Sequence, residues 1–361
     1  MHSISSCLIH IVRRFGCVGG MERYVWELTH RLVEHDLEVI VVCEEVFGTP
    51  HSGIKIIKVD RSPPRPRWRS MVRFRAKVEE LVRSKLCGRI AIIHSHERSI
   101  SHQVTTFHGP PIDSSGSHRL KAFLSRRIRA WQSLERDELL ADGVQKILPV
   151  SSAIGRQLMN SYPGLAMDKI SVARPGVSAP DNLTFGREHE RLTLLNNGVI
   201  RFGFVGVEWK RKGLDLAVAF VDRYVKLTTV PACLHVYGPD ASTLPKKIRS
   251  ADFVKIHGWI TDIPWQEIDV LLHLARVEPF GMVVAEARRA GVPVVISGNV
   301  GVAELGFMGV EVVTSLADLP EAVASLISRP SSFMPEVRWT WSDLAEFHIN
   351  HVYPSVIPMR I

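Results

Sequence analysis

Two carboxylates, Glu278 and Glu286, stand eight residues apart with a Pro-Phe-Gly turn between them. An apolar run, Asp269 to Leu274, precedes the turn. Met282 to Ala290 reads as a helix and Gly291 to Ile296 as the next strand. A loop that leaves a buried strand and opens a helix directs backbone N–H groups outward, where they can hold an anion. The spacing therefore suits a phosphorylated ligand gripped by backbone, with the two carboxylates left for its hydroxyl groups.

Other residues with chemical potential fall at comparable places. Gly19-Gly20 follows the first apolar strand, Leu8 to Val12, and opens an amphipathic segment from Met21 to His35. His108 follows Gln103 to Phe107, and Lys210 to Gly213 follows Phe202 to Val205. His94, His96, His102 and His108, with Glu97, invite a metal reading. Their spacing closes no tetrahedral site, so no metal is expected. The motifs GxGxxG and GxSxG are absent, against a dinucleotide enzyme and a serine hydrolase of those types. No Asp-x-Asp appears; the nearest acid, Asp215, lies between Leu214 and Leu216.

These residues need strand ends to position them, and the sequence supplies the strands. Val39 to Cys43, Ile90 to His94 and Lys146 to Val150 continue the first half, and Ser151-Ser152 caps a helix to about Tyr162. Leu214 to Val225 reads as a helix, followed by strands Cys233 to Tyr237, Val254 to His257, Val270 to Leu274 and Val292 to Ile296. Such β–α alternation predicts an α/β protein of doubly wound parallel sheets, with ligands at the carboxyl ends of the strands. At 361 residues two domains are expected: residues 1–175, a linker over 176–198, residues 199–339, and a terminal helical segment over 340–361 returning to the first domain. A cleft between two such halves is the expected ligand site.

Five scattered cysteines without CxxC spacing suggest a reducing compartment. Neither a signal-peptide pattern nor a membrane-length apolar run is evident. The net charge of +8 is local: residues 61–89 hold ten Lys/Arg against two Glu, and 119–131 hold five with no acid. In the second segment Leu120, Phe123, Leu124, Ile128 and Trp131 share one helical face. With Trp68 among Arg65, Arg67 and Arg69, this suggests contact with an anionic membrane surface. No nucleic-acid recognition motif accompanies the charge.

In their order along the chain these motifs resemble the retaining GT-B glycosyltransferases of family 4. Glu278 to Glu286 resembles the family's E-x7-E element. Val18 to Leu28 resembles its Gly-Gly-x-Glu-Arg loop, Thr106 to Gly109 its T-x-H-G segment, Arg211 to Gly213 its phosphate clamp, and Gly301 to Glu304 its later G-x-x-E loop. The resemblance implies two Rossmann-like domains facing across a cleft, the first binding acceptor and the second donor. It implies a nucleotide-diphosphate sugar as donor substrate, with no cofactor and no metal. Arg211 and Lys212 would then neutralise the diphosphate, Glu286 would bind the ribose, and Gly258 to Ile260 would receive the base through backbone groups. Glu278 and the backbone of Phe280, Gly281 and Met282 would hold the donor sugar and its phosphate. Gly19 and Gly20 would approach the diphosphate, and His108 would contact the sugar beside the reacting carbon.

The sequence departs from the family pattern at Gly206-Val207, where Gly-Arg is usual, at Arg174-Pro-Gly176 and at Asp36-Leu37. Some members acting on the lipopolysaccharide core share the first two departures, so activity is still expected. The basic segments and the family analogy together suggest a lipid-linked or envelope saccharide acceptor, such as lipopolysaccharide core. They also imply a cytoplasmic enzyme lying peripherally on the inner membrane face. Other GT-B chemistries, sugar-nucleotide epimerisation or phosphorolysis, and a catalytically silent sugar-binding protein stand as alternatives.

Overall fold

A computed structural model describes residues 7–112, 125–178, 198–228, 230–329 and 338–361. Most of the expected linker (179–197), and Leu120, Phe123 and Leu124 of the expected basic amphipathic face, lie outside these residues. The chain divides into two compact units: Met1–Gly176 with Trp341–Ile361, and Val177–Thr340.

Unit 1 is built on strands β1 (Cys7–Ile11), β2 (Val39–Cys43), β3 (Ile54–Lys58), β4 (Ile90–Ser95), β5 (Val104–Phe107) and β6 (Lys146–Pro149). They pair in parallel in the order β3-β2-β1-β4-β5-β6. All five residues of β1 and of β2 are buried, which is why these strands read as continuous apolar runs rather than alternating ones. Helix α1 (Gly20–Glu34) turns Tyr24, Val25, Leu28 and Leu32 inward. Helix α2 (Arg67–Lys85) does the same with Met71, Phe74, Val78, Leu81 and Val82, a helical stripe that leaves its arginines outside.

Helix α3 (Arg126–Leu140) begins where the Ser125 hydroxyl accepts from Ile128 N. On it Trp131 packs against the core of unit 1. Helix α4 (Ser152–Ser161) is capped by Ser151, which accepts from Ile154 N. β5 pairs only with His94 and Ser95 of β4, and the start of β4 is covered instead by Met359–Arg360 running antiparallel to it.

Unit 2 repeats the plan with β7 (Ile200–Val205), β8 (Ala232–Tyr237), β9 (Val254–Gly258), β10 (Val270–His273), β11 (Val294–Ser297) and β12 (Val310–Val313) in the order β9-β8-β7-β10-β11-β12. Its longer helices are α5 (Leu214–Thr228), α6 (Met282–Arg289) and α7 (Leu319–Ser328), with a single helical turn at Lys246–Arg249. Phe202 of β7 meets Phe220 and Tyr224 of α5 edge-on at 5.5 Å, fixing that helix to the sheet. The expected terminal helix is shorter than its periodicity suggests. Helix α8 (Trp341–Phe347) gives way to a π turn over His348–Val352. In both units the strand order reverses beside the first strand, the point where doubly wound sheets open a crevice.

Candidate active site

In unit 2 the loop from β7 to α5 meets the loop from β10 to α6. Gly213, at φ +80°, has no room for a side chain: a Cβ there would strike the carbonyl oxygen of Leu274. This close approach of backbone to backbone seats Arg211 and Lys212 against Glu278. Arg211 Nη1 donates to Val277 O at 2.7 Å and to a Glu278 carboxylate oxygen at 3.2 Å, while its Nε and Nη2 donate to Glu208. Lys212 Nζ lies 3.7 Å from the same Glu278 oxygen. The lysine stem runs over Gly206, where a Cβ would collide with it. Arg276 forms a two-pronged pair with Asp215 at 2.8 Å and so ties the start of α5 to the neighbouring loop.

The loop carrying Glu278 is pinned on its other side. Glu278 N donates to Asn299 O, Gly301 N donates to Glu278 O, and Val302 N donates to Phe280 O. Gly281 then takes φ +104° and opens α6, with no side chain capping the helix. The first N–H groups of α6 are thus available to an anion, beside two cations. Phe280 and Val283 are buried, while Met282 and Glu286 are half-buried. Ile260 is half-buried beyond β9, next to a Trp259 that is 73% exposed.

His273, at the end of β10, is fully buried, and its Nε2 stands 3.5 Å from Glu278. Burial alone would raise the Glu278 carboxyl. The contact with His273 and the charges of Lys212 and Arg211 outweigh it and hold the group at about 2. Burial in turn keeps His273 neutral by lowering its pKa. An ionised Glu278 is acceptor-only and suited to hydroxyl groups.

In unit 1, Gly19 is the N-cap of α1 in extended conformation and Gly20 its first residue. A Cβ at Gly19 would press on the Glu22 carboxylate, whereas one at Gly20 would meet open space. His108 follows β5, edge-on to Tyr24 at 5.0 Å. It shares a hydrogen bond with His96 at 3.2 Å, His96 shares one with His10 at 3.1 Å, and His10 approaches the Tyr353 hydroxyl at 3.4 Å. His94 lies between Tyr353 and Thr106, at 3.1 and 2.7 Å. Nitrogens of His10, His94 and His96 fall within 4.8 Å of one another, a spacing open to an ion, and each ring also has a hydrogen-bond partner in the protein. Burial lowers His10 and His108 to about 3. His102 and Glu97 stand apart from this array: His102 bonds Ser99 and Glu138 O, and Glu97 accepts from Arg13 N.

Arg211, Lys212 and Glu278 thus converge within unit 2, with Phe280 to Val283 continuing from Glu278 into α6. Sequence reasoning passed over His273 and His10. Each is a lone polar residue in an otherwise apolar buried strand, and that interruption is the signal that marks them. Tyr353 and His348 carry no such sign, because the chain far from β1 and β4 brings them there.

Two parallel sheets of the same reversing order in one chain define the GT-B class of fold. The model of Glycosyltransferase Family 4 matches residues 18–179, and that of Glycosyl transferases group 1 matches residues 200–329. The chain belongs to these family 4, group 1 glycosyltransferases. It is 24% identical over 370 residues to a glycogen synthase of Mycobacterium tuberculosis, with 89% of this chain and 85% of the relative covered. Among solved structures it resembles WaaG, a glycosyltransferase involved in lipopolysaccharide biosynthesis (TM-score 0.67, 15% identity, 96% of each chain). It also resembles Anabaena HepE in complex with UDP and glucose (TM-score 0.64, 15% identity, 94% of this chain and 97% of that one).

Proposed function

We propose that this glycosyltransferase moves a sugar from a nucleoside-diphosphate sugar to a lipid-linked or envelope saccharide of the lipopolysaccharide-core kind, retaining anomeric configuration and using no metal or cofactor. The observation that carries the reading is the convergence of Arg211 and Lys212 on Glu278 beside the uncapped N-terminus of α6. Departure of the diphosphate concentrates negative charge on the phosphate nearest the sugar. Fixed cations and a helix N-terminus stabilise that charge without reorganising. The UDP and glucose of the Anabaena relative support a nucleotide donor.

In this reading Glu286 takes the ribose and the backbone at Gly258 to Ile260 the base. Glu278 accepts hydrogen bonds from the donor sugar. His108, neutral through burial, contacts the sugar, and the open space at Gly20 leaves room for backbone to meet the diphosphate. The leaving phosphate serves as base for the incoming hydroxyl. The basic segments 61–89 and 119–131 rest on the anionic inner face of the cytoplasmic membrane. Because the apolar stripe of α2 is spent on the core, that contact is electrostatic and salt-sensitive.

Thermal shift with UDP-, GDP- and ADP-sugars identifies the donor, since only a bound ligand raises Tm. NMR of the product, from envelope-lipid and soluble glucan acceptors with and without EDTA, then reads anomer and metal dependence. An inverted product, or activity abolished by EDTA and restored by a divalent ion, overturns the mechanism. Sedimentation with phosphatidylglycerol vesicles tests the membrane contact, and no binding at low salt removes it.

A further inference from the structure

An open pocket of about 1060 Å³ lies in unit 1, lined by Arg65, Arg67, Arg98 and Arg127 and by the indoles of Trp68 and Trp131. Its arginines differ in state. Arg98 is neutralised by Glu135 and Glu138 and lies over the Phe107 ring at 4.6 Å, so it is part of the frame. Arg65, Arg67 and Arg127 are exposed and form no ion pair among the described residues. The twelve residues between Ile112 and Ser125 bring one acid, Asp113, against Arg119 and Lys121, so their composition adds no surplus of negative charge.

The placement of these cations works against the fold. Arg67 and Arg127 lie in the first turns of α2 and α3, and neither helix has an acid there. The positive end of a helix dipole disfavours cations. Two such placements facing one pocket are a local conflict of the kind kept for function. An anion in the pocket would satisfy both. Trp68 and Trp131, each half-buried, add flat apolar faces suited to the C–H face of a sugar ring.

We propose that this pocket binds a phosphorylated saccharide, the phosphate-bearing end of the acceptor. The pocket belongs at the carboxyl end of the unit 1 sheet, since the start of α2 after β3, Arg98 in the loop after β4, Ile112 after β5 and the first turns of α3 all contribute to it. The assignment of the occupant as acceptor rests on the glycosyl-transfer reading above, whereas the binding itself does not.

The test is calorimetric titration of the whole chain with mannose 6-phosphate and with mannose, repeated on the R67Q/R127Q variant. The phosphorylated sugar is expected to bind at least ~10-fold more tightly than the neutral one, and the variant to lose that preference. The variant's Tm should stay equal or rise, because cations leave two helix N-termini, and nucleotide-sugar binding should be unchanged. Equal binding of both sugars, or an undiminished preference in the variant, overturns the proposal. So does a variant that loses binding to phosphatidylglycerol vesicles while neither protein binds mannose 6-phosphate, which would make this a lipid-headgroup site. Since the readout is binding, it stands or falls separately from transfer activity.

Discussion

Arg211, Lys212 and His273 all close on the Glu278 carboxylate. That carboxyl sits at about 2 because His273, Lys212 and Arg211 together outweigh burial. Glu278→Gln and Lys212→Ala should each lower kcat/KM by at least ~100-fold, roughly 3 kcal/mol of lost transition-state stabilisation. Steady-state rates near wild type in both variants would remove these residues from the site. His273→Leu isolates one neighbour: without the imidazole nitrogen 3.5 Å away, the Glu278 carboxyl should titrate higher, toward the usual carboxylate range. The sign follows from linkage. A lowered carboxyl contributes stability above its unfolded value and loses it as pH falls through the folded one, so the variant should lose that contribution at higher pH than wild type. A 13C titration of the Glu278 carboxyl that is identical in both proteins would show that His273 only fills space.

At the scale of elements, loops after strands do the positioning, and two glycines separate folding from function. Gly213→Ala places a methyl on the Leu274 carbonyl at φ +80°, and should cost about 2–3 kcal/mol with a matching fall in Tm. Gly20→Ala has open space and a helical position. It should stabilise by about 0.5 kcal/mol while depressing kcat/KM, because the added methyl stands where the donor is proposed to approach. Unchanged kcat/KM in Gly20→Ala would relieve that loop of any role at the donor.

The inner strands were legible because two-sided burial leaves long apolar runs, and their ends fell within two residues of the runs. Of the partly buried edge strands, β9 was read from the sequence, whereas β3 and β12, where Ile54 to Lys58 and Val310 to Val313 interleave Lys or Glu with the apolar residues, were not. Arg211, Lys212 and Glu278 were legible as a motif. Their mutual contact was not, because it depends on a loop-to-loop approach set by the backbone at Gly213.

For the whole molecule, the uneven distribution of buried histidine sets how the two units respond to acid. Unit 1 buries His10, His94, His96, His102 and His348 and half-buries His108, all with lowered pKa. His10 and His108 lie at about 3, His102 and His348 at about 4, and burial is the leading cause in each. Among the described residues of unit 2, only His235 and His273 are shifted this way. The sequence shows the histidines but not this sharing, because His10, His94, His108 and His348 are gathered from distant stretches of chain.

The sign is that of a depressed base. The unfolded chain takes up protons below about 6.5, whereas in the folded state His102 and His348 resist them until about 4 and His10 and His108 until about 3. Each histidine therefore removes up to about 1.4 kcal/mol per pH unit across that window. Glu97 acts oppositely. Burial raises it to about 7, so the folded state keeps a proton that the unfolded chain has lost, and its contribution falls as pH rises from about 4.5 to 7. Burial also lowers His30 and raises Glu79 and Glu138, so seven histidines against three carboxyls leave acid as the destabilising direction for unit 1. Hydrogen exchange followed by mass spectrometry between pH 7 and 4 should show β1, β4 and β5 losing protection before β7, β8 and β10. His10→Asn and His348→Gln, which lack an imidazole to protonate, should flatten the pH dependence even where they lower stability at pH 7. Joint loss of protection in both sheets, or a pH dependence left intact by both variants, would show that the array does not govern acid unfolding.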